Sequence, residues 1–368
     1  MKKYILKLLL FSLPLIIICL PSLWVLYLAG ELDGERDYVV ILNDKQLIGL
    51  AYTDIREAYK FKMTDSIFRP DAIALGSSRI MQVKSDFISK KFSFYNAGGA
   101  VNNVYQYQLF LKKLHYTPKM LIISIDQFFF NPNYQNQEET FNKDSYEFPE
   151  HNLPNMFNTF FSDFYEGKID FIKILKNEKR HIGLNAIINE NGYMKDGTHH
   201  VGDLSKNPQF NDYNFKDTFE RIEQGNRRFE YCEHADSSSA EIINRFLDEC
   251  EKREITVIAI IPPFAPAVIK KMTNMGNYSY MQEVFRILEP FFINHKHCYL
   301  FDYTDLTLMG VHNYDFLDGF HGSEVIYNII IRDIISSTPS LRQYFKDENE
   351  LIRIEEEYKE KKIRYHSL

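Results

Sequence analysis

Four short polar clusters in this 368-residue chain hold the residue types that acyl chemistry on a serine requires: Gly76-Ser77-Ser78-Arg79, Asn96-Ala97-Gly98-Gly99, Asp126-Gln127 and Asp318-Gly319-Phe320-His321. A serine hydroxyl is a weak nucleophile until a general base takes its proton, and that base needs a carboxylate to hold its ring. Asp318 and His321 lie three residues apart. On a loop they can face the same way, so that the carboxylate bonds the ring nitrogen remote from the serine. A serine just after a strand would then be the nucleophile, and N–H groups from the glycine turns nearby would form an anion hole.

Each cluster alone has a plainer use. A Gly-Ser-Ser turn caps helices, an Asp-x-x-His pair sits on surfaces, and Gly98-Gly99 permits a tight turn. Their succession at strand ends is what sets them apart. His199-His200 and His295-x-His297 offer no third ligand at useful spacing, so no metal is expected. No glycine-rich phosphate loop is present, and no cofactor is expected. Asp315 and Glu324, close to His321 in sequence, read as ordinary surface charges.

The elements that must position these clusters follow from hydropathy. Buried strands are expected at Asp71–Leu75, Phe92–Tyr95, Met120–Ile125, Ile255–Ile261 and Cys298–Phe301, each a short apolar run closed by polar or turn residues. Between them, helical spacing runs through Tyr105, Leu109, Leu111 and Leu114, and again over Tyr280–Phe292 and Ser323–Ser337. Ser237 reads as a cap ahead of Ile242, Ile243, Phe246 and Leu247. Alternation of this kind predicts an α/β fold, a three-layer αβα sandwich on a mainly parallel five-stranded sheet, in which ligands bind outside the carboxyl ends of the strands. Residues 131–235 break the rhythm and read as an insertion, with a helix over Phe157–Leu175. The chain thus divides into 1–30, a lead-in at 31–70 with a short helix at Asp54–Lys62, the α/β domain at 71–345, and a charged tail at 346–368. Leu351, Ile354 and Tyr358 share one face of that tail, which reads as a peripheral, solvated helix.

Composition bounds the function class. With 45% apolar and 25% charged residues the chain is neither disordered nor polytopic. Residues 1–30 carry Lys2, Lys3 and Lys7 and no acid, so the net charge of −7 leaves −10 on the remainder, against nucleic acid as a partner. From Leu8 to Ala29 no charged residue occurs. That run is long enough for one transmembrane helix, exceeds a typical signal-peptide core, and ends in a poor cleavage site. The expectation is a single-pass anchor with a cytoplasmic N-terminus and the main domain outside the cell membrane. Three cysteines (Cys232, Cys250, Cys298) then lie outside, too few for a disulfide framework.

From Asp71 to Ser337, around the insertion, the chain resembles the SGNH (GDSL-like) hydrolase superfamily, whose fold is flavodoxin-like. Ser78 falls at the nucleophile position of the Gly-Asp-Ser block, with Ser77 replacing the aspartate. Asn96-Ala97-Gly98 is similar to the second block, and Asp318-Gly319-Phe320-His321 to the closing Asp-x-x-His block. The resemblance implies a Ser78–His321–Asp318 triad with oxyanion donors at Ser78 and Gly98. The third block departs: Ser124-Ile125-Asp126-Gln127 stands where Gly-x-Asn-Asp is expected, leaving the Gln127 amide as the third donor. That departure and the anchor resemble the membrane-tethered DltD-like and polysaccharide O-acyltransferase-like branches. These imply acyl transfer to a cell-envelope glycan or teichoic-acid-like polyol, beside a membrane-bound O-acyltransferase partner. Two alternatives stay open: a carbohydrate esterase with the same triad, and a non-catalytic, membrane-tethered binding subunit of a polysaccharide-modifying complex.

Overall fold

The computed structural model describes residues 2–134, 146–202 and 212–361; of the side chains before Cys19, those of Tyr4, Lys7, Phe11 and Leu13 are described. The rest of the apolar run's first half, parts of the insertion and residues 362–368 lie outside that description. The chain forms two compact units. One comprises Met1–Ile55, Phe148–Lys195 and His200–Asp203, the other Arg56–Glu147, Asp196–His199 and Leu204–Leu368.

The larger unit is built on five parallel strands: β1 (Ala72–Gly76), β2 (Phe94–Gly98), β3 (Met120–Ser124), β4 (Thr256–Ile261) and β5 (Cys298–Asp302). Their order across the sheet is β2-β1-β3-β4-β5. This is the doubly wound order in which the chain reverses direction between β1 and β3, opening a crevice at the carboxyl ends of those two strands. Every residue of β1, β3 and β4 is buried, as parallel strands covered on both faces require. Ala72, Ala74, Met120, Ile122, Ile258 and Ile260 project into one core with Ile326, Ile330 and Ile334 of the helix Glu324–Ser337. The α/β fold with its parallel five-stranded sheet is therefore as the hydropathy pattern implied.

Gly76, the last residue of β1, stands close against the neighbouring strand. A Cβ there would lie 2.3 Å from Ser124 Oγ on the neighbouring strand. Helix ends depart in detail from expectation. The helix at Ser237–Lys252 is capped by Asp236, whose side chain accepts from the Ser238 N–H at 2.9 Å, so the serines stand inside it. The tail helix, Glu348–Lys361, is anchored and not merely solvated. Leu351 and Ile354 join the core, Asn328 Nδ2 donates to Leu351 O at 3.0 Å, and Arg332 pairs with Glu355 at 2.5 Å.

The smaller unit gathers segments distant in sequence. The last turns of the first helix, Lys2–Leu28, bury Val25, Leu26 and the following Ala29 against Phe160, Ile174, Leu184 and Ile187. The helix expected over Phe157–Leu175 is two, Leu153–Tyr165 and Phe171–Lys176. Gly167, with φ of +71°, ends the first, and Asp170 starts the second by accepting from the N–H groups of Ile172 and Lys173. Buried Glu31 accepts from Ala51 N at 2.9 Å and Leu184 N at 2.7 Å, fastening residues after the first helix to the insertion. Burial holds its carboxyl above the ordinary range, against the pull of those N–H groups. Among the described residues no helix is long and apolar enough to cross a membrane.

Candidate active site

The turn leaving β1 presents the candidate nucleophile. Ser77, in extended conformation, caps a short 3₁₀ turn (Ser78–Ile80) by accepting from Arg79 N at 3.1 Å. Ser78 is thereby raised at the mouth of the crevice, half-buried, with its N–H as the first of the turn. Such leading N–H groups lack an acceptor within their own helix and point outward.

Across the crevice, residues 317–322 form a compact loop. Leu317 N donates to His321 O at 2.9 Å, Ala265 N to Gly319 O at 3.0 Å, and Gly319 N to Asp212 Oδ2 at 3.1 Å. Asp318 Oδ1 accepts from Phe320 N at 2.9 Å and His321 N at 2.8 Å, and its Oδ2 lies 2.6 Å from His321 Nδ1. His321 Nε2 lies 2.7 Å from Ser78 Oγ. The three residues, separated by up to 243 positions, form one continuous hydrogen-bonded chain. Burial alone would raise the Asp318 carboxyl, but the adjoining imidazole and the two N–H donors outweigh it and hold it down to about 2. With an ionised Asp318 accepting at Nδ1, the ring carries its proton there and leaves Nε2 free to accept from the serine. Chemically, the arrangement can deprotonate Ser78 as it attacks a carbonyl and can stabilise the imidazolium that results.

Arg79, beside the nucleophile, has a role that sequence reasoning missed. Its side chain is fully buried. Nε donates to Phe320 O at 3.0 Å, Nη1 to Gln127 Oε1 at 2.7 Å, and Nη2 to Pro262 O at 3.0 Å and Pro263 O at 2.6 Å. The guanidinium also lies over the Phe264 ring, 4.2 Å from its centroid, and 4.0 Å from Asp126 Oδ1. One side chain thus fastens the serine turn to the histidine loop and to the ends of β3 and β4. The Tyr327 hydroxyl donates to Arg79 O. Burial raises the Asp126 carboxyl above the ordinary range, and the Arg79 charge opposes that shift. No sequence signal marks this role, because an arginine in a Gly-Ser-Ser-Arg turn reads as exposed.

The other expected oxyanion donors are engaged elsewhere. Gln127 is buried, and its amide donates to Pro262 O at 2.8 Å and Thr304 Oγ1 at 2.9 Å. Both amide protons are therefore used in holding β3 to the β4 and β5 loops. In this geometry Gln127 supports Arg79 and has no amide proton left for a third donor. Gly98 N donates to Asn96 Oδ1 at 2.7 Å, while Asn96 Nδ2 reaches Ile80 O at 2.9 Å and Val83 O at 2.8 Å. The Asn96 side chain thus ties β2 to the serine turn and occupies the Gly98 N–H. Of the three expected donors, the Ser78 N–H is the one with no such competing role in this geometry. Asp315, expected as a surface charge, is buried and accepts from His312 N at 2.9 Å as a turn cap. Among the described residues no group of three or more His, Cys, Asp or Glu side chains could hold a metal ion, and the four cysteines are free thiols.

Compared with protein families, with curated proteins and with solved structures, the chain matches none.

Proposed function

We propose that this chain is a membrane-anchored, extracytoplasmic serine acyltransferase of SGNH-like type. The observation that carries the reading is the unbroken chain from Ser78 Oγ through His321 to Asp318, at 2.7 and 2.6 Å, at the switch point of a doubly wound sheet. Ser78 Oγ attacks the carbonyl carbon of an acyl donor as His321 Nε2 takes its proton. The tetrahedral oxyanion is met by the Ser78 N–H. His321 returns the proton to the departing alkoxide, leaving an acyl ester on Ser78. A sugar or polyol hydroxyl of a cell-envelope polymer then attacks that ester, His321 takes its proton, and the ester passes to the acceptor as Ser78 is reprotonated. With water as acceptor the same cycle is an esterase. The uncharged run 8–29 supports the anchor, and through it the choice of an envelope polymer served by a membrane-bound O-acyltransferase partner.

A second reading, a non-catalytic binding subunit of a polysaccharide-modifying complex, is favoured by one observation: the Gly98 and Gln127 N–H groups are already engaged. Ser78→Ala separates the two. If the chain is the enzyme, envelope-polymer acylation should fall by about 10⁴-fold or more with no loss of folded protein. Acylation at the wild-type rate would eliminate the mechanism.

A further inference from the structure

In the smaller unit, the helices Leu153–Tyr165 and Phe171–Lys176 leave a run of large apolar side chains in solvent. Tyr165 is 84% exposed, Ile172 67% and Leu175 63%, with Leu153, Phe164 and Phe171 also exposed. Their rings are contiguous: the centroid of Phe164 lies 5.8 Å from that of Tyr165 and 6.0 Å from that of Phe171. Contiguous exposed apolar surface of this kind marks an interaction site.

What covers it follows from where it stands. The last turns of the first helix share a buried cluster with Ile174, on the helix Phe171–Lys176 itself. Trp24 and Tyr27 on those same turns face outward, at 55% and 66% exposure. If the run 8–29 spans a bilayer, residue 29 marks its outer boundary, and whatever packs on residues 25–29 stands at the headgroup level. Tryptophan and tyrosine are the residues that favour that level. Over Leu153–Lys176 the charges of Lys168, Lys173 and Lys176 balance those of Asp163, Glu166 and Asp170, so the attraction of this segment to a bilayer is that of its apolar side chains.

We propose that Leu153–Lys176 forms a membrane-surface element that lies in the outer interface of a lipid bilayer, its aromatic and aliphatic side chains among the headgroups and upper acyl chains. The inference rests on the reading of 8–29 as a membrane span. The insertion then serves to fix the first helix at the membrane boundary, and the apolar side chains it exposes are solvated by lipid.

Trp24 is the sole tryptophan, which makes depth measurable. The full chain is reconstituted into phosphatidylcholine–phosphatidylglycerol vesicles containing chain-brominated phosphatidylcholine, which quenches tryptophan on contact. Single tryptophans are placed by Tyr165→Trp, Ile172→Trp or, as an exposed control in the larger unit, Glu241→Trp, each with Trp24→Phe. The expected result is loss of emission at 165 and 172 comparable to that of Trp24 in the unaltered chain, and none at 241. Emission unquenched at 165 and 172 while Trp24 is quenched would overturn the surface element and leave the span intact. An unquenched Trp24 would overturn both. Emission at 165 and 172 that responds to protein dilution and not to the brominated lipid would assign the face to a second copy, again overturning the proposal.

Discussion

Replacing Arg79 by methionine tests the view that one buried cation holds the crevice together. Methionine keeps much of the volume and the contact with Phe264, but removes four hydrogen bonds and the partner of Asp126. Stripping one member from a buried charge pair costs about 3–5 kcal/mol. Each buried acceptor left unpaired adds about 1–3 kcal/mol, although water entering a loosened crevice would relieve some of them. Domains are stable by about 5–15 kcal/mol, so Arg79→Met should remove a large part of the larger unit's stability. Arg79→Lys keeps the charge without the fork and should fall between the two. The stranded Asp126 gives the variant a pH signature. Its carboxyl is already raised by burial against the opposing Arg79 charge, and losing Arg79 raises it further. A carboxyl whose folded pKa is raised binds its proton more tightly when folded, so stability falls as pH rises above the ordinary value of 3.8. Arg79→Met should therefore lose more at neutral pH than at mildly acidic pH, and adding Asp126→Asn should abolish that difference. Urea unfolding of the full chain in detergent, followed by far-ultraviolet circular dichroism, reads both effects. Arg79→Met within about 1 kcal/mol of the parent, with no pH difference, would show that the buried cation does not hold the crevice together.

Gln127→Ala should destabilise by about 1–3 kcal/mol through lost support of Arg79, yet lower turnover far less than the roughly 10²–10³-fold expected for loss of an oxyanion donor; steady-state kinetics decide. Asp318→Asn should leave the fold but lower turnover by about 10⁴-fold, because the ring loses the carboxylate that fixes its tautomer. Since Asp318 is held down to about 2, its own titration should produce no limb in the pH–rate profile above about pH 3. Lys60 is fully buried, donating to Asn96 O at 3.0 Å, and burial pushes its amine down to about 7. The unfolded chain then binds the extra proton between that value and 10.5, so stability should rise from about pH 7 to about pH 9; urea titrations should find the rise flattened in Lys60→Met.

That Ser78, Asp318 and His321 come together was legible because each follows a recognisable strand or opens a helix, so local pattern placed Ser78 and His321 on the same edge of one sheet. The parallel sheet followed from alternation, whereas the order of its strands did not and comes from the structure. What was not legible is where a polar side chain points. Gln127 reads as an available donor and Arg79 only as part of a polar turn, yet burial turns Arg79 into a fastener and Gln127 into its support. The Gly98 N–H is occupied by a side chain two residues upstream, a rotamer choice that spacing does not reveal. Leu351 and Ile354 carried a helical stripe, but that they complete the core depends on Asn328 and Arg332 of a helix already formed. Residues 31–55, weakly patterned, join 148–195 through contacts such as Glu31 to Leu184, which no local signal records.

Everything proposed for the crevice depends on His321, held by Asp318, activating Ser78. Treating the full chain with a fluorophosphonate and mapping the adduct by peptide mass spectrometry tests it most directly. An activated Ser78 is labelled stoichiometrically, Ser77 is not, and the label is lost in His321→Ala protein that remains folded. Folded protein that takes up no label, or labels equally well without His321, would contradict it.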